Sequence, residues 1–367
     1  MKLYLKLFFL IQFQQFLNGV RSLQCVDENG ENVDWAILYK LPKHENKRQS
    51  GFVHDGLGYV YFTSKSPQSG WKLSNQSIND VSSLPGRILA PLFDSNASKN
   101  ILYALYNDEH PDGHTSFTDG HTKGVVAFDE KEGFWLVHSV PHFPPNIENN
   151  GRYGYPHTGQ RYGQSFLCIS LKTETSANVI GGQLLYNHPY MYSINIPKWA
   201  TADNFPDLIK AFKGKHIKKS PYFKTAKLKS LKGVSFTSFA KYTLFHKDLY
   251  ADFVAPFLQS NLLTETWPNG AGKMPSSCDN KFKVENIDEL DFDLPGNKDD
   301  EDFTTRHDHA KWAVTKGKAS NGGKFVCIGD INRMNSQKKR AGGTVCFDNH
   351  FAWKAFTGII KSVEKCK

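Results

Sequence analysis

Short apolar runs separated by polar turns fill the first half of the chain, and they dictate its predicted elements. Residues 33–41 are apolar and β-prone, which predicts a buried strand. Residues 59–63, 101–106 and 165–171 read the same way. Residues 124–128 and 134–140 flank the turn 129–133 and predict a hairpin. A short helix is expected near 78–84. After Pro197 the period lengthens. Residues 203–212 and 246–263 place Phe, Leu and Val three and four apart, the spacing of amphipathic helices. Residues 324–328 return to strand, and 349–363 predict a closing helix held by Cys366. Strands and helices mix without a clean βαβ repeat, so the expected class is α+β or mixed α/β.

Composition narrows the class. The chain has 367 residues, 39% of them hydrophobic and 22% charged, which is a globular balance. The net charge of +9 favours acidic partners such as nucleic acid, anionic polysaccharide or anionic membrane. Lys2 and Lys6 precede an apolar run to Phe13 that is too short to span a bilayer, and small residues follow; 1–22 reads as a signal peptide. No later run of apolar residues predicts a membrane span. Behind the leader stand Cys25, Cys168, Cys278, Cys327, Cys346 and Cys366. An even count in a secreted chain predicts three disulfides, with fifteen connectivities open. No Cys-x-x-Cys pair supports a metal site, and none is expected. Asn75 and Asn96 head glycosylation sequons. These signals point to the secretory pathway, either the lysosome or the outside of the cell.

Two segments are strongly charged. Lys210 to Lys241 is lysine-rich, contains His216 and has no acid. Lys215, Lys218, Lys219 and Lys224 are its candidate contacts to a phosphate backbone, set against the plainer reading of a solvated lysine face. Glu285 to Asp302 holds nine acids and one lysine and reads as a surface loop.

His-x-Lys occurs three times, at His121/Lys123, His216/Lys218 and His309/Lys311. Chance supplies such spacing in a lysine-rich chain, so context has to separate them. His216 sits inside the lysine block and reads as surface. His121 and Lys123 lead into an apolar strand, where residues i and i+2 share a face. His309 and Lys311 also precede an apolar stretch, 188 residues later (309 minus 121). Two units facing each other across a pseudo-two-fold would gather the four side chains. The chemistry suits a phosphodiester. One His attacks phosphorus, the other protonates the leaving oxygen and then activates water, and two lysines hold the phosphoryl oxygens where a metal would otherwise serve. One His must be neutral and the other protonated, which points to an acidic optimum. His138 and His142 are expected to line the same cleft. His110, His114 and His307 are weaker candidates as metal ligands, and no cofactor fingerprint appears.

At these residues the sequence resembles the deoxyribonuclease II family of the phospholipase D-like superfamily. The matching stretches are Val33-Asp-Trp-Ala-Ile-Leu-Tyr-Lys-Leu-Pro42, His121-Thr-Lys-Gly124, Gly133-Phe-Trp-Leu-Val-His-Ser-Val-Pro141, Thr264-Glu-Thr-Trp267, Asp308-His-Ala-Lys-Trp312, Cys327-Ile-Gly-Asp-Ile-Asn-Arg333 and Gly342-Gly-Thr-Val-Cys346. The resemblance implies an acid endonuclease on double-stranded DNA, independent of divalent cations and leaving 3′-phosphate ends. It implies two phospholipase D-like halves in one chain, here 23–200 and 201–367, with both His-x-Lys pairs in one site. It implies the pairings Cys25–Cys168, Cys278–Cys366 and Cys327–Cys346, and supporting positions at Asp330 and Asn332. The wider superfamily's Asp five residues after the Lys is replaced by Phe128 and Lys316, and Ala313 stands where some relatives carry Cys. Two rival readings share these residues: a catalytically silent DNA-binding or toxin-like secreted protein, and a phosphodiesterase acting on lipid.

Overall fold

Apolar residues on both faces of the early strands require a layer on each side, and the fold supplies them. The computed structural model describes residues 22–43, 51–148, 151–294, 301–320 and 322–366. The segment 1–22, expected to be a signal peptide, lies outside these except for Ser22. One antiparallel sheet contains β1 (Trp35–Lys40), β2 (Tyr59–Thr63), β3 (Lys72–Leu73), β4 (Leu102–Asn107), β5 (Lys123–Phe128), β6 (Glu132–His138), β7 (Gln164–Lys172) and β8 (Met191–Asn195). Its order is β3-β2-β1-β7-β6-β5-β4-β8. The second sheet contains β9 (Phe223–Lys229), β10 (Ser235–Lys241), β11 (Leu262–Glu265), β12 (Val284–Phe292), β13 (Glu301–Thr304), β14 (Trp312–Thr315), β15 (Phe325–Gly329), β16 (Gly342–Asp348) and β17 (Ile360–Glu364). Its order is β13-β12-β11-β14-β15-β16-β10-β9, with β17 also paired to β12. Only β11 and β12 run parallel among the strands described.

The sheets face each other across a shared core. Trp35, Ile37 and Tyr39 of β1 join Trp312 and Val314 of β14, Ile328 and Phe347 there. Ala36 and Leu38 turn the opposite way, under helix α1 (Leu84–Phe93), where they meet Leu84, Ile88 and Leu89. On the second sheet Ala313 faces outward beneath 250–258, a wide turn that runs into α4 (Ala255–Leu258). Between these, α2 (Thr173–Asn187), α3 (Pro206–Phe212) and, at the end, α5 (His350–Gly358) add Ile180, Leu208 and Phe356 to the shared core. A strand buried on both faces loses the polar alternation of a half-exposed one, which is why β1 reads as one apolar run.

The two sheets repeat one succession. The order β4-β5-β6-β7-β1 in the first corresponds to β11-β14-β15-β16-β10 in the second. Along the chain each set runs strand, outer helix, strand, three-stranded meander, then a helix. A His-x-Lys pair enters the first strand of each meander, β5 and β14.

Several expectations shift. The helix expected near 78–84 begins at Leu84 instead, capped by the Ser83 hydroxyl, which accepts from Gly86 N at 3.2 Å. The helix expected over 246–263 is confined to 250–258, because Gln259 takes a left-handed φ of 50° and the chain turns into β11. The closing helix stops at Gly358, and 360–364 pair as β17 with β12. The acidic segment is not a loop over its first half. It is β12, whose Ile287, Leu290 and Phe292 enter the core while several acids point outward. Residues 295–300 of that segment lie outside those described. The lysine block is largely the β9–β10 hairpin. Helix α2 and strands β8 and β16 went unread, since their apolar positions are too few or too broken by glycine to show a period.

Candidate active site

Each His-x-Lys pair is latched to the opposite sheet through backbone hydrogen bonds. His121 N donates to Ala341 O at 2.8 Å, just before β16. His309 N donates to Gly163 O at 2.8 Å, just before β7. The lysine amides repeat the pattern. Lys123 N donates to Asp330 Oδ2 at 3.3 Å, and Gly343 N donates to Asp330 Oδ1 at 3.1 Å. Lys311 N donates to Ser165 Oγ at 3.3 Å, and Ser165 N donates to Ser139 Oγ at 3.0 Å. A Cβ at Gly163 would overlap the Asp308 carboxylate, so only glycine allows this approach. Gly163→Ala is therefore expected to destabilise the fold by about 1–3 kcal/mol, and to displace 308–309 enough to reduce turnover. Thermal unfolding together with turnover checks it, and wild-type values for both would refute a tight latch.

His121 is oriented by a carboxylate. Its Nδ1 lies 2.7 Å from Asp108 Oδ2. Asp108 also accepts from Lys123 Nζ, and from Arg340 Nη2 at 3.3 Å. Burial works against an ionised Asp108, but His121 and Lys123 outweigh it and hold the carboxyl well below the usual range. An ionised carboxylate only accepts, so Nδ1 carries the proton and Nε2 keeps its lone pair. Asn332 Nδ2 stands 3.5 Å from that Nε2. Burial, resisted by Asp108 and reinforced by Lys123, brings His121 down to about 4. Burial also opposes the Lys123 charge, yet Asp108 and Glu109 raise it above the ordinary lysine range.

His309 has a different setting. Its Nδ1 is 3.0 Å from Ser139 O and 2.9 Å from Lys311 Nζ. The carbonyl can only accept, so Nδ1 donates to it, and Lys311 donates to the His309 carbonyl at 2.6 Å. Trp267 packs edge-on to the imidazole, with centroids 5.1 Å apart. Burial, then Lys311, Lys123 and His121, push His309 well below its ordinary value. Burial and Lys123 do the same to Lys311. Each pair thus lies within electrostatic reach of the other. The assembly offers two imidazoles whose Nδ1 is engaged, two lysines and Arg340, with Asp108 gripped between them and Glu109 and Asp330 beside Lys123. That donor set suits a phosphoryl group far better than a cation.

Asp330 and Asn332, expected near the second pair, stand beside the first. Asp330 also accepts from the Thr122 hydroxyl, and burial nonetheless raises it to about 6. His138 does not line this site. It is buried against Phe143 and Phe166 on the outer face of the first sheet, its Nδ1 accepting from Val140 N at 3.2 Å. Lys123, on the neighbouring strand β5, lies within electrostatic reach and adds to burial in lowering the proton affinity of His138. His142 reaches back to His110 O at 2.6 Å. Lys215, Lys218, Lys219 and Lys224 are exposed and touch none of the four. Asn75 and Asn96 are exposed.

A family model described as Deoxyribonuclease II matches residues 24–366. The chain belongs to the deoxyribonuclease II family. It is 36% identical to Deoxyribonuclease-2-alpha of Mus musculus over 94% of both chains. It is 37% identical to Deoxyribonuclease-2-beta of Homo sapiens, covering 95% of this chain and 93% of that one. It is also 36% identical to Cell death-related nuclease 6 of Caenorhabditis elegans, covering 94% and 90%. The three disulfides of this deoxyribonuclease II family member are Cys25–Cys168, Cys278–Cys366 and Cys327–Cys346, which fit an oxidising compartment. Among the described residues no helix is long and apolar enough to cross a membrane.

Sequence reasoning missed Asp108, Arg340 and Ser139. Asp108 carried a local signal, a carboxylate at the end of the apolar run 102–107. Arg340 carried none, because 232 positions separate it from Asp108.

Proposed function

We propose that the protein is an acid endodeoxyribonuclease that hydrolyses double-stranded DNA without a metal ion and leaves 3′-phosphate ends. The reading rests on one observation above all: the reciprocal latching that brings two His-x-Lys pairs, 188 residues apart, into a single buried cluster. Family membership supports DNA as the substrate. The repeated strand succession supports two phospholipase D-like halves, 23–200 and 201–367, meeting at this cluster.

The unlike settings of the two imidazoles divide the labour. His309 meets a carbonyl and an indole and no carboxylate among its hydrogen bonds, so it is the neutral nucleophile. Its Nε2 attacks phosphorus, a P–N bond forms and the P–O5′ bond breaks. His121, whose cationic form Asp108 stabilises, gives its proton to the departing 5′ oxygen. In the second step His121 takes a proton from water, the hydroxyl attacks phosphorus, and the P–N bond breaks to release the 3′-phosphate. Lys123 and Lys311 hold the non-bridging oxygens through both steps. Degradation of engulfed, apoptotic or ingested DNA in a lysosome or outside the cell fits such chemistry.

The test is plasmid nicking at pH 5 in EDTA. Cleavage is expected, with 5′-hydroxyl ends that polynucleotide kinase labels without prior phosphatase treatment. No cleavage until magnesium is restored would overturn the metal-free mechanism.

A further inference from the structure

The third His-x-Lys pair, set aside as surface, reaches the loop that carries His121. The His216 ring stacks on Tyr242, with centroids 5.4 Å apart and planes 14° from parallel. Its Nδ1 lies 3.4 Å from the Tyr242 hydroxyl. The His188 ring sits 4.3 Å from the His216 ring. His188 Nε2 is 3.2 Å from Asp119 Oδ1, while its buried Nδ1 has no hydrogen-bond partner among the described residues. Asp119 immediately precedes Gly120-His121, and Gly120 N donates to His188 O at 2.7 Å. Arg340, which grips Asp108, also donates from Nε to Asp119 O at 2.8 Å. One set of contacts therefore joins the imidazole pair to the general acid's loop. The residues come from both sides of the molecule: His188 follows α2 of the first half, and Tyr242 follows β10 of the second.

We propose that His188, His216 and Lys218 form a second phosphate subsite, which takes up a proton together with a DNA phosphate flanking the scissile bond. This rests on the deoxyribonuclease reading and adds to it. The groups facing the pair are Asp119, Lys218 and the phenols of Tyr242 and Tyr222. Asp119 balances one imidazolium at most. A second imidazolium, 4.3 Å from the first and beside Lys218, lacks an anion from the protein. A phosphate supplies it. Burial, followed by His216 for His188 and by Lys218 for His216, holds both rings below their ordinary value, which leaves them neutral at pH 7.5. Phosphate binding must then raise their proton affinity, and by reciprocity acid must tighten phosphate binding. An anionic lipid headgroup would offer the same charge. The basic surface of Lys215, Lys218 and Lys219 around the pair favours a polymer of phosphates.

The experiment measures Kd for a labelled duplex oligonucleotide by fluorescence anisotropy at pH 5 and pH 7.5, with EDTA, in full-length protein carrying His309→Ala to prevent cleavage. Adding His216→Gln or His188→Gln is expected to weaken binding at least about fivefold at pH 5 and less than about twofold at pH 7.5. Adding His216→Arg instead, a permanent cation, is expected to tighten binding at pH 7.5. Equal loss at both pH values, or no loss at either, would overturn the subsite. If the His309→Ala protein binds no DNA at either pH, the substrate reading fails and the subsite with it. Binding that tightens in acid regardless of all three changes fails the subsite alone.

Discussion

His309→Ala is expected to lower kcat for plasmid nicking at pH 5 by as much as about a millionfold, as loss of a nucleophile within a cooperating set does elsewhere. The imidazole is buried, its Nδ1 is committed to the Ser139 carbonyl, and Nε2 is the atom left to form the P–N bond. His121, the other imidazole of the cluster, is held by Asp108 for the proton-transfer role. Lys311 is two residues away but is committed to the His309 carbonyl. The fold should survive. His309 is disfavoured as a cation where it sits, and its removal leaves one carbonyl short of a donor, which costs about 1–3 kcal/mol. The variant should therefore fold and melt cooperatively a few degrees lower. Trapping the intermediate by acid quench and locating the phosphoryl group by mass spectrometry gives an independent check. A phosphohistidine at His121 rather than His309, or activity near wild type in His309→Ala, would refute the assignment.

Asp108→Asn should be the next most damaging change, lowering kcat by about 10²- to 10⁴-fold while moving the pH optimum downward. Asp108 is the main influence raising the proton affinity of His121 against burial. Without it the imidazole falls below about 4 and less of it is protonated at any given pH. The same sign governs stability. A histidine whose folded pKa lies below its unfolded one stabilises the fold above its unfolded value, 6.5 here, and loses that contribution as pH falls towards about 4. The substitution extends that window below about 4, so on this account the variant should go on losing stability at acidities where the wild-type contribution has levelled off. Lys123 stays 3.4 Å from Glu109, which limits the loss near neutrality. Rate–pH profiles and melting curves for both proteins measure these effects. An unshifted optimum would show that Asp108 does not tune His121.

The strands with unbroken β-branched and aromatic runs, β1, β2, β4, β5 and β7, were legible because burial on both faces leaves no polar interruption. Helix α2 was not: Gly181 and Gly182 sit mid-helix where Leu208 of α3 approaches, so close packing replaced the apolar stripe that a period detects. β12 hid its character because half-buried acids are interspersed with buried Ile287 and Leu290, and charge counting saw only the acids. In the site, the histidines and lysines were readable from type, spacing and the strand that follows. Among the groups that give the two histidines unlike roles, Arg340, Ser139 and Trp267 were readable only from the fold, since each acts across a long sequence separation, whereas Asp108 lies close to His121 at the end of an apolar run. His138 is the reverse case: expected to line the cleft, it packs against Phe143 and Phe166 behind Lys123.

The crossed latches also bear on when the protein becomes dangerous to a nucleic acid. Ala341, which holds the His121 amide, Asp330, which clamps Thr122 and Lys123, and Arg340, which steadies Asp108, all belong to the last 38 residues of 367 (330 to 367). A nascent chain can complete its first sheet and close Cys25–Cys168 long before those residues leave the ribosome. Such a chain has His121 and Asp108 but lacks the groups that fix the His121 amide, Lys123 and the Asp108 carboxylate. The cluster is therefore completed only when residues 330–341 have been made and have folded against the first sheet.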